Sequence, residues 1–579
     1  MNDTLSYHKG HPNPMSYRPH WSSLNGSWSF LFDDEDIGIK KRYFDKFPKD
    51  HETINVPYAY ESAKSGITDK RKHNVMWYKK TFNYHKITDV TILHIERSDY
   101  ITIAWLNGHY LGEHKGGYDA FSFEIQDYLL EGNNDLVIRV FDSKDARQLR
   151  GKQTWKEQPF ECFYHGTSGI YGDVWLEGVH PQYIQHFEVV ASYQKALLSI
   201  DAEVTSDCIG ASLIINASHK GNQILRHTIK VESEAMKLSL PIPAPLYPWS
   251  VESPSLYDLE FIIERNGIVL DRILSYFGIN EVSSKQREIL LNGKPTFLKF
   301  ALDQGYFLGG DLTGTLEDFE LDLRYLKDAG FNGVRKHEKV ESNLFYYLAD
   351  RDGLLNWLEL PSPHQFDESE MPIISEQWKN IIKQHISHPS LMAYVCYNES
   401  WGVHQIKVDK KQQQASITLY ELAKSIDPVR FVISNDGWEH TKSDLLTIHN
   451  YQESKQELLD MYKDLIDNLN QSGNGKANQS RMCYSDGFKY EQQPLVFSEF
   501  AGIAIDHSTS DGWGYGSPVN GVDGFLTKLQ GQIEAIKELG IFSGYCITQL
   551  TDVYQETNGL MTQDRNIKIR PDLLVKILK

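Results

Sequence analysis

The sequence predicts a multidomain β and α/β protein: a jelly-roll-like β-sandwich over residues 1–181, an immunoglobulin-like β-sandwich over 182–279 and a (β/α)8 TIM barrel over 280–579. Three observations carry this. Up to about residue 180 the chain is a series of short apolar strands separated by turn signals. From 182 to 278 apolar and polar residues alternate over a length that suits one small sandwich without a disulfide. After 280, strands alternate with amphipathic helical stretches, the pattern of parallel βα units.

In chain order, SWSFLF, VMWYKKTF, TILHIE, YITIAWLNGHYLGEH and DLVIRVFD are the strands of the first part. Asn107-Gly108 predicts a hairpin, because a type I′ turn needs positive φ at both central residues. ALLSIDAEV, ASLIINASH, KLSLPIP and YDLEFIIERNG build the second part, and the proline-rich PIPAPLYPWSVESPSLY reads as an extended edge segment, since proline cannot donate to a central ladder. In the third part the strands are TFLKFAL, FNGVRKH, LLNWLEL, LMAYVCYN, RFVISND, LLTIHNY, PLVFSEF and FSGYCITQL. Helices are predicted over 317–329, 342–352, 375–387, 410–426, 454–469 and 521–539, with a fifth connection too short for a long helix. SGNGKANQS, around 472–480, reads as a mobile loop tip.

A formal net charge of −19 repels phosphate backbones and anionic lipid, which argues against nucleic-acid and membrane partners. The N-terminus, MNDTLSYHKGHPNPMSY, has no apolar run behind a basic one, and no stretch of about 18 apolar residues follows elsewhere, so a soluble, cytoplasmic protein is expected. The five cysteines, Cys162, Cys208, Cys396, Cys483 and Cys546, are scattered without metal-ligand spacing, which predicts reduced thiols and no structural zinc. Aromatic residues make up 12% of the chain, and their faces suit sugar rings as well as cores. Association into a homo-oligomer is left open.

LMAYVCYN is apolar at nearly every position and ends in Asn398-Glu399; PLVFSEF ends in the same way with Glu499. In a parallel barrel the C-terminal strand ends form the open mouth where catalytic groups collect. Two carboxylates at matched strand ends, 499 − 399 = 100 residues apart, therefore meet only through folding. A pair about 5–5.5 Å apart serves a retaining glycosidase, one as nucleophile and one as acid then base. Glu399 would then begin protonated, its pKa raised by apolar surroundings and a charged neighbour, whereas Glu499 would be ionised.

With these residues in place, the chain resembles glycoside hydrolase family 2, which includes β-galactosidases, β-glucuronidases and β-mannosidases. EHKGGYDAFSFEI and SGIYGDVWLE resemble its sugar-binding domain; NGVRKH, HPSLMAYVCYNES and VFSEF resemble its barrel motifs. The resemblance covers nearly the whole chain. It implies that Glu399, following an Asn at the end of strand four, is the general acid/base and Glu499 the nucleophile. It implies a terminal β-glycoside as substrate and no cofactor. Asn398 is placed to bond the sugar 2-hydroxyl, Tyr451 to donate to Glu499, and Arg335 to brace the nucleophile.

Departures from the family pattern bear on the sugar. Arg335-Lys336-His337-Glu338 stands where better-known members carry Ser-His after the arginine, so the contact from His337 is moved or lost. Strand eight lacks the expected platform Trp, and Trp401 and Trp438 are the candidates to replace it. Asp303, Gln304 and Tyr306 are placed to line the pocket, and the magnesium ligands of large β-galactosidases do not align, so no essential metal is expected. Asn566-Ile567-Lys568 spells the Asn-x-Lys of glucuronidases but falls after GLMTQDR, whereas Glu556-Thr557-Asn558 occupies the matching place. A carboxylate there predicts a neutral sugar, a β-galactoside before a β-glucuronide or an arabinoside. Arg335, Lys336 and Lys152 are the cations that could serve a substrate carboxylate by another route. A carbohydrate-binding protein on an inactive barrel is the competing class, and it would need neither glutamate.

Overall fold

The computed structural model describes residues 10–67, 69, 71–506 and 512–579; the first nine residues of the N-terminal segment, on which the cytoplasmic expectation partly rests, lie outside these. The chain opens with two facing antiparallel sheets, one of six strands and one of four. Their inner faces bury Trp28, Phe30, Tyr78, Leu93, Ile138 and Ile170. The strands Ile101–Leu106 and His109–Lys115 pair across Asn107 and Gly108, both at positive φ (52° and 81°), as a type I′ turn requires. A second pair of sheets, of three and four strands, runs from Ile184 to Phe277 around Leu198, Ile200, Leu213, Phe261 and Ile273. Ala235–Pro241, which opens the proline-rich stretch, is the edge strand of the three-stranded sheet.

The two sandwiches are tied by Arg18. Its guanidinium donates to Glu177 of the first (3.0 Å), and to Asp271 (2.8 Å) and the Ile184 carbonyl (2.7 Å) of the second. Among the described residues, no helix is long and apolar enough to cross a membrane. All five cysteines are free thiols.

The C-terminal part is an eight-stranded parallel barrel: β1 (Leu298–Asp303), β2 (Gly333–Lys336), β3 (Leu355–Glu359), β4 (Leu391–Val395), β5 (Phe431–Ile433), β6 (Leu446–His449), β7 (Leu495–Ala501) and β8 (Phe542–Thr548). Hydrogen-bonded order runs β5-β4-β3-β2-β1-β8-β7-β6, so the wall is continuous except for a seam between β5 and β6. Every residue of β3, β4 and β7 is buried, as expected of strands covered by helices outside and packed side chains inside.

The surrounding helices are α1 (Leu316–Asp328), α2 (Asn343–Asp352), α3 (Met371–His385), α4 (Lys410–Ile426), α5 (Lys455–Tyr462), α6 (Leu465–Ser472), α7 (Gly521–Leu539) and α8 (Pro571–Leu578). The connection from β5 to β6 holds none, as its length predicts. The single helix expected at 454–469 is two, because Asp464 leaves helical geometry (φ −107°, ψ 7°). The segment 472–480 is not a free tip either: Gly475 and Ala477 are buried, and the Tyr462 hydroxyl donates to the Ala477 carbonyl (2.5 Å). Its glycines and asparagines serve a tucked turn instead of an exposed one.

Candidate active site

The barrel delivers its polar groups at the strand ends. Arg335 comes from β2, Glu359 from β3, His449 from β6 and Glu499 from β7, with Asn398 and Glu399 just past β4 and Tyr451 just past β6. Glu399 and Ser400 are consecutive residues in left-handed conformation (φ 50° and 62°), which is costly for side chains with a Cβ. The strained turn is held from the next strand's loop: the Glu399 N–H donates to the Asp436 carbonyl (3.0 Å) and the Ser400 N–H to Asn435 Oδ1 (2.9 Å). Glu399 is thereby turned out of the strand direction into the mouth.

Arg335, fully buried, is the hub. Its Nη1 lies 2.8 Å from Glu499 Oε1 and 2.7 Å from Asp436 Oδ2, its Nε donates to Glu359, and its Nη2 donates to Asn398 Oδ1 at 2.8 Å. Charge-assisted bonds of this kind fix a carboxylate in place and favour its ionised form. The second oxygen of Glu499, Oε2, accepts from the Tyr451 hydroxyl, which also lies 3.2 Å from Thr548 Oγ1. Both nucleophile-candidate oxygens are therefore occupied by donors. Asn398, pinned by its oxygen to Arg335, leaves Nδ2 buried with no hydrogen-bond partner among the described residues. An orphaned donor in this position costs free energy until something accepts from it.

His449 links the two glutamates: Nδ1 lies 2.8 Å from Glu399 Oε1, and Nε2 lies 2.9 Å from Asp436 Oδ2 and 3.6 Å from Glu499 Oε1. Burial opposes its charge, but the carboxylates of Glu499 and Asp436 outweigh it and push the imidazole up to about 10. One carboxylate oxygen from each glutamate and a ring nitrogen of His449 all fall within 4.8 Å of one another. Such a triplet could hold a cation only if His449 were neutral; as an imidazolium bonded at both nitrogens it offers no lone pair. His337, by contrast, is driven well below its ordinary value by burial and by Arg335, and its Nδ1 sits 3.0 Å from Glu359 Oε2.

The side chain of Glu399 is 22% exposed against 6% for Glu499, and it opens on a cavity of about 500 Å³. Trp438, Tyr451 and Tyr515 line that cavity together with Asn478, Gln479 and Ser480 from the tucked turn. Tyr515 stacks on Tyr451 at 3.9 Å, and Trp438 donates through Nε1 to Ser400 Oγ at 3.2 Å. Trp401 stands on the other side, against Phe163 (5.1 Å between ring centroids) and His337 (6.1 Å). Of the two tryptophans singled out as substitutes for the missing strand-eight platform, Trp438 thus shares the cavity with Glu399 and Trp401 faces Phe163 and His337.

Asp303 does not line the pocket. It is withdrawn into a buried ion pair with Lys336 (2.6 Å), its other oxygen accepting from the Gly305 N–H (2.7 Å). The neighbouring lysine claims it because neither charge can be buried alone. Glu556 is not a free carboxylate: fully buried, its Oε2 accepts from the amides of Gln304 (3.1 Å) and Gln549 (3.0 Å), and burial pushes its pKa up. Lys568 is taken by Asp552 (2.7 Å), so the displaced Asn-x-Lys is a local tie. His449, Asp436 and Glu359 were not among the predicted site residues. The one sequence signal for His449 is its place two residues before Tyr451 at the end of an apolar strand.

Two family profiles match the chain, "Glycosyl hydrolases family 2, sugar binding domain" over residues 21–179 and "Glycosyl hydrolases family 2" over 182–279. A putative β-glucuronidase of Formosa agariphila is 24% identical over 558 residues, 92% of this chain and 62% of that protein. A β-galactosidase of Thermoanaerobacter pseudethanolicus is 25% identical over 399 residues, 66% of this chain and 52% of that one. The chain thus spans less than two thirds of the length of these relatives. Among solved structures, a β-glucuronidase from Ruminococcus gnavus in complex with uronic deoxynojirimycin superposes with a TM-score of 0.79 at 18% identity, covering 97% of this chain and 98% of that one. Residues 21–179 and 182–279 thus match two domains of glycoside hydrolase family 2, and the order of two sandwiches and a parallel barrel is the fold of the Ruminococcus gnavus structure.

Proposed function

We propose that the chain is a retaining β-glycosidase that removes a terminal sugar by double displacement, with Glu499 as nucleophile and Glu399 as acid, then base. The observation that carries this reading is the approach of Glu399 and Glu499 to within 4.8 Å, oxygen to oxygen. Inverting enzymes hold the two carboxyl groups roughly 6.5–9.5 Å apart to admit a water between them. Each residue has a part. Arg335 and Tyr451 bind both oxygens of Glu499 and hold it aimed at the anomeric carbon. Glu399 uses Oε1 to accept from His449, which leaves Oε2 to carry the proton delivered to the departing oxygen. After departure, His449 stabilises the Glu399 carboxylate while that group takes a proton from the attacking water. Asn398 Nδ2 is free to donate to the sugar 2-hydroxyl, a bond that strengthens as positive charge grows at the ring. A carbohydrate-binding protein would have no use for two opposed glutamates whose donors are arranged so differently.

The relatives bear the names of β-glucuronidase and β-galactosidase, and the same carboxylate pair serves either glycone. The mechanism is tested by proton NMR of the first-formed sugar from a nitrophenyl β-glycoside. The β-anomer is expected, and an α-anomer at the earliest time points would rule out double displacement.

A further inference from the structure

The first sandwich reaches into the barrel mouth through residues 150–153. The N–H groups of Arg150 and Gly151 donate to the Ser362 carbonyl (3.2 and 3.0 Å), and His364 Nε2 lies 2.8 Å from the Gly151 carbonyl. Gly151 has φ 56°, and a Cβ there would sit 2.1 Å from the Glu338 carbonyl oxygen, so only glycine lets the loop come this close. On the far side Gln153 is tied to Asp99 and to Tyr118 (both 3.0 Å). Lys152 between them has no freedom to leave.

Its ammonium lies 5.1 Å from the centroid of the Trp401 ring and 5.7 Å from that of Tyr164, with the residue only 3% exposed. No carboxylate among the described residues forms an ion pair with it; its neighbour is the Cys162 thiol, which burial pushes up to about 12 and so keeps neutral. Burial would discharge the lysine, yet the fields of nearby carboxylates, Glu499 and Glu399 among them, oppose that and favour its charge. A buried charge without a direct counter-ion is expensive, and proteins rarely keep one that has no ligand. Burial disfavours the charge of Glu556, which as an open anion would oppose a second carboxylate, and the amides of Gln304 and Gln549 enclose its Oε2.

We propose that Lys152 selects the sugar: its ammonium receives the ring carboxylate of a β-linked uronic acid whose anomeric carbon lies between Glu399 and Glu499. This rests on the β-glycosidase reading and reverses the neutral-sugar expectation, whose premise was an open Glu556.

Calorimetric titration of the inactive Glu499→Gln protein separates the two. Nitrophenyl β-glucuronide and β-galacturonide would be compared with the matching glucoside and galactoside. At least one uronide should bind about tenfold to a hundredfold more tightly than its neutral counterpart, the range of a charge-assisted bond. Lys152→Met in the same background should erase that preference, and Lys152→Arg should keep most of it. Equal or tighter binding of the neutral sugars, or a preference that survives Lys152→Met, would overturn the assignment. Failure of the unaltered enzyme to hydrolyse any β-glycoside would count against the glycosidase reading alone, since the binding comparison needs no turnover.

Discussion

Arg18 and Arg335 are both buried guanidinium groups ringed by carboxylates, yet their surroundings differ in completeness. Around Arg18 each guanidinium nitrogen has an acceptor, and Asp271 is further engaged by the N–H groups of Ile184 and Arg272 (2.9 Å each). Around Arg335 the network stops short. Among the described residues Asn398 Nδ2 has no partner and Lys152 has no carboxylate in direct ion-pair contact, while Glu399 is strained and partly open. A cluster that only joins domains can satisfy itself, whereas one that handles a ligand keeps places open for it. That contrast gives more support to a functional reading than burial or charge, which the two clusters share.

The comparison breaks most sharply at Glu499. Replacing it with Ala should cut turnover by on the order of 10⁴–10⁶, as loss of an attacking group does elsewhere. Added azide should partly restore activity by filling the space and attacking the anomeric carbon, giving a glycosyl azide of inverted configuration. Should Glu399→Ala be the variant that yields the inverted azide, the roles of the two glutamates are exchanged.

Arg18→Ala should act on the other cluster. It strands Glu177 and Asp271 in the interior, at a cost of about 3–5 kcal/mol, and should appear as a lower unfolding midpoint with kcat/KM on a nitrophenyl glycoside unchanged. A fall in kcat/KM without loss of stability would show that the two regions are not separate.

The smallest effect concerns pH, where the clusters should fail at opposite ends. His449 is raised from 6.5 to about 10, so its contribution is complete below 6.5 and lost as pH rises towards 10. Burial would raise Glu177, but Arg18 outweighs it and holds the group at about 2 against an ordinary 4.5; its contribution is present above 4.5 and lost as pH falls towards 2. Unfolding midpoints measured across pH should therefore show an alkaline decline that His449→Asn flattens and an acid decline that Arg18→Ala flattens. An alkaline slope untouched by His449→Asn would mean that the histidine is not charged in the folded protein.

Much of this was legible in the sequence. The eight barrel strands announce themselves as apolar runs, and Glu399 and Glu499 stand out because each interrupts such a run at the same end. Arg335, Asn398 and Tyr451 could be read by their positions relative to those two. What could not be read are contacts decided by side-chain reach across strands. Nothing in TIHNY says that His449 will touch both glutamates, and nothing in FALDQGYF says that Lys336 will draw Asp303 away. The break at Asp464 was hidden because Leu458, Tyr462, Leu465 and Leu469 keep an apolar rhythm through it, so periodicity alone reads one helix. Helix α8 follows the eighth strand, so no strand after it marks its short apolar stretch as a βα unit.

Gly151 gives the molecule a point of intolerance that lies outside the barrel itself. The loop that it carries seats against the barrel as a gasket does, and the fit depends on a hydrogen where other residues have a methyl group. One added carbon would lift the loop, pull Lys152 from beneath Trp401 and admit water to the mouth, with both glutamates still in place. The barrel holds the two glutamates, and the neighbouring sandwich closes over them, so neither alone has a finished wall.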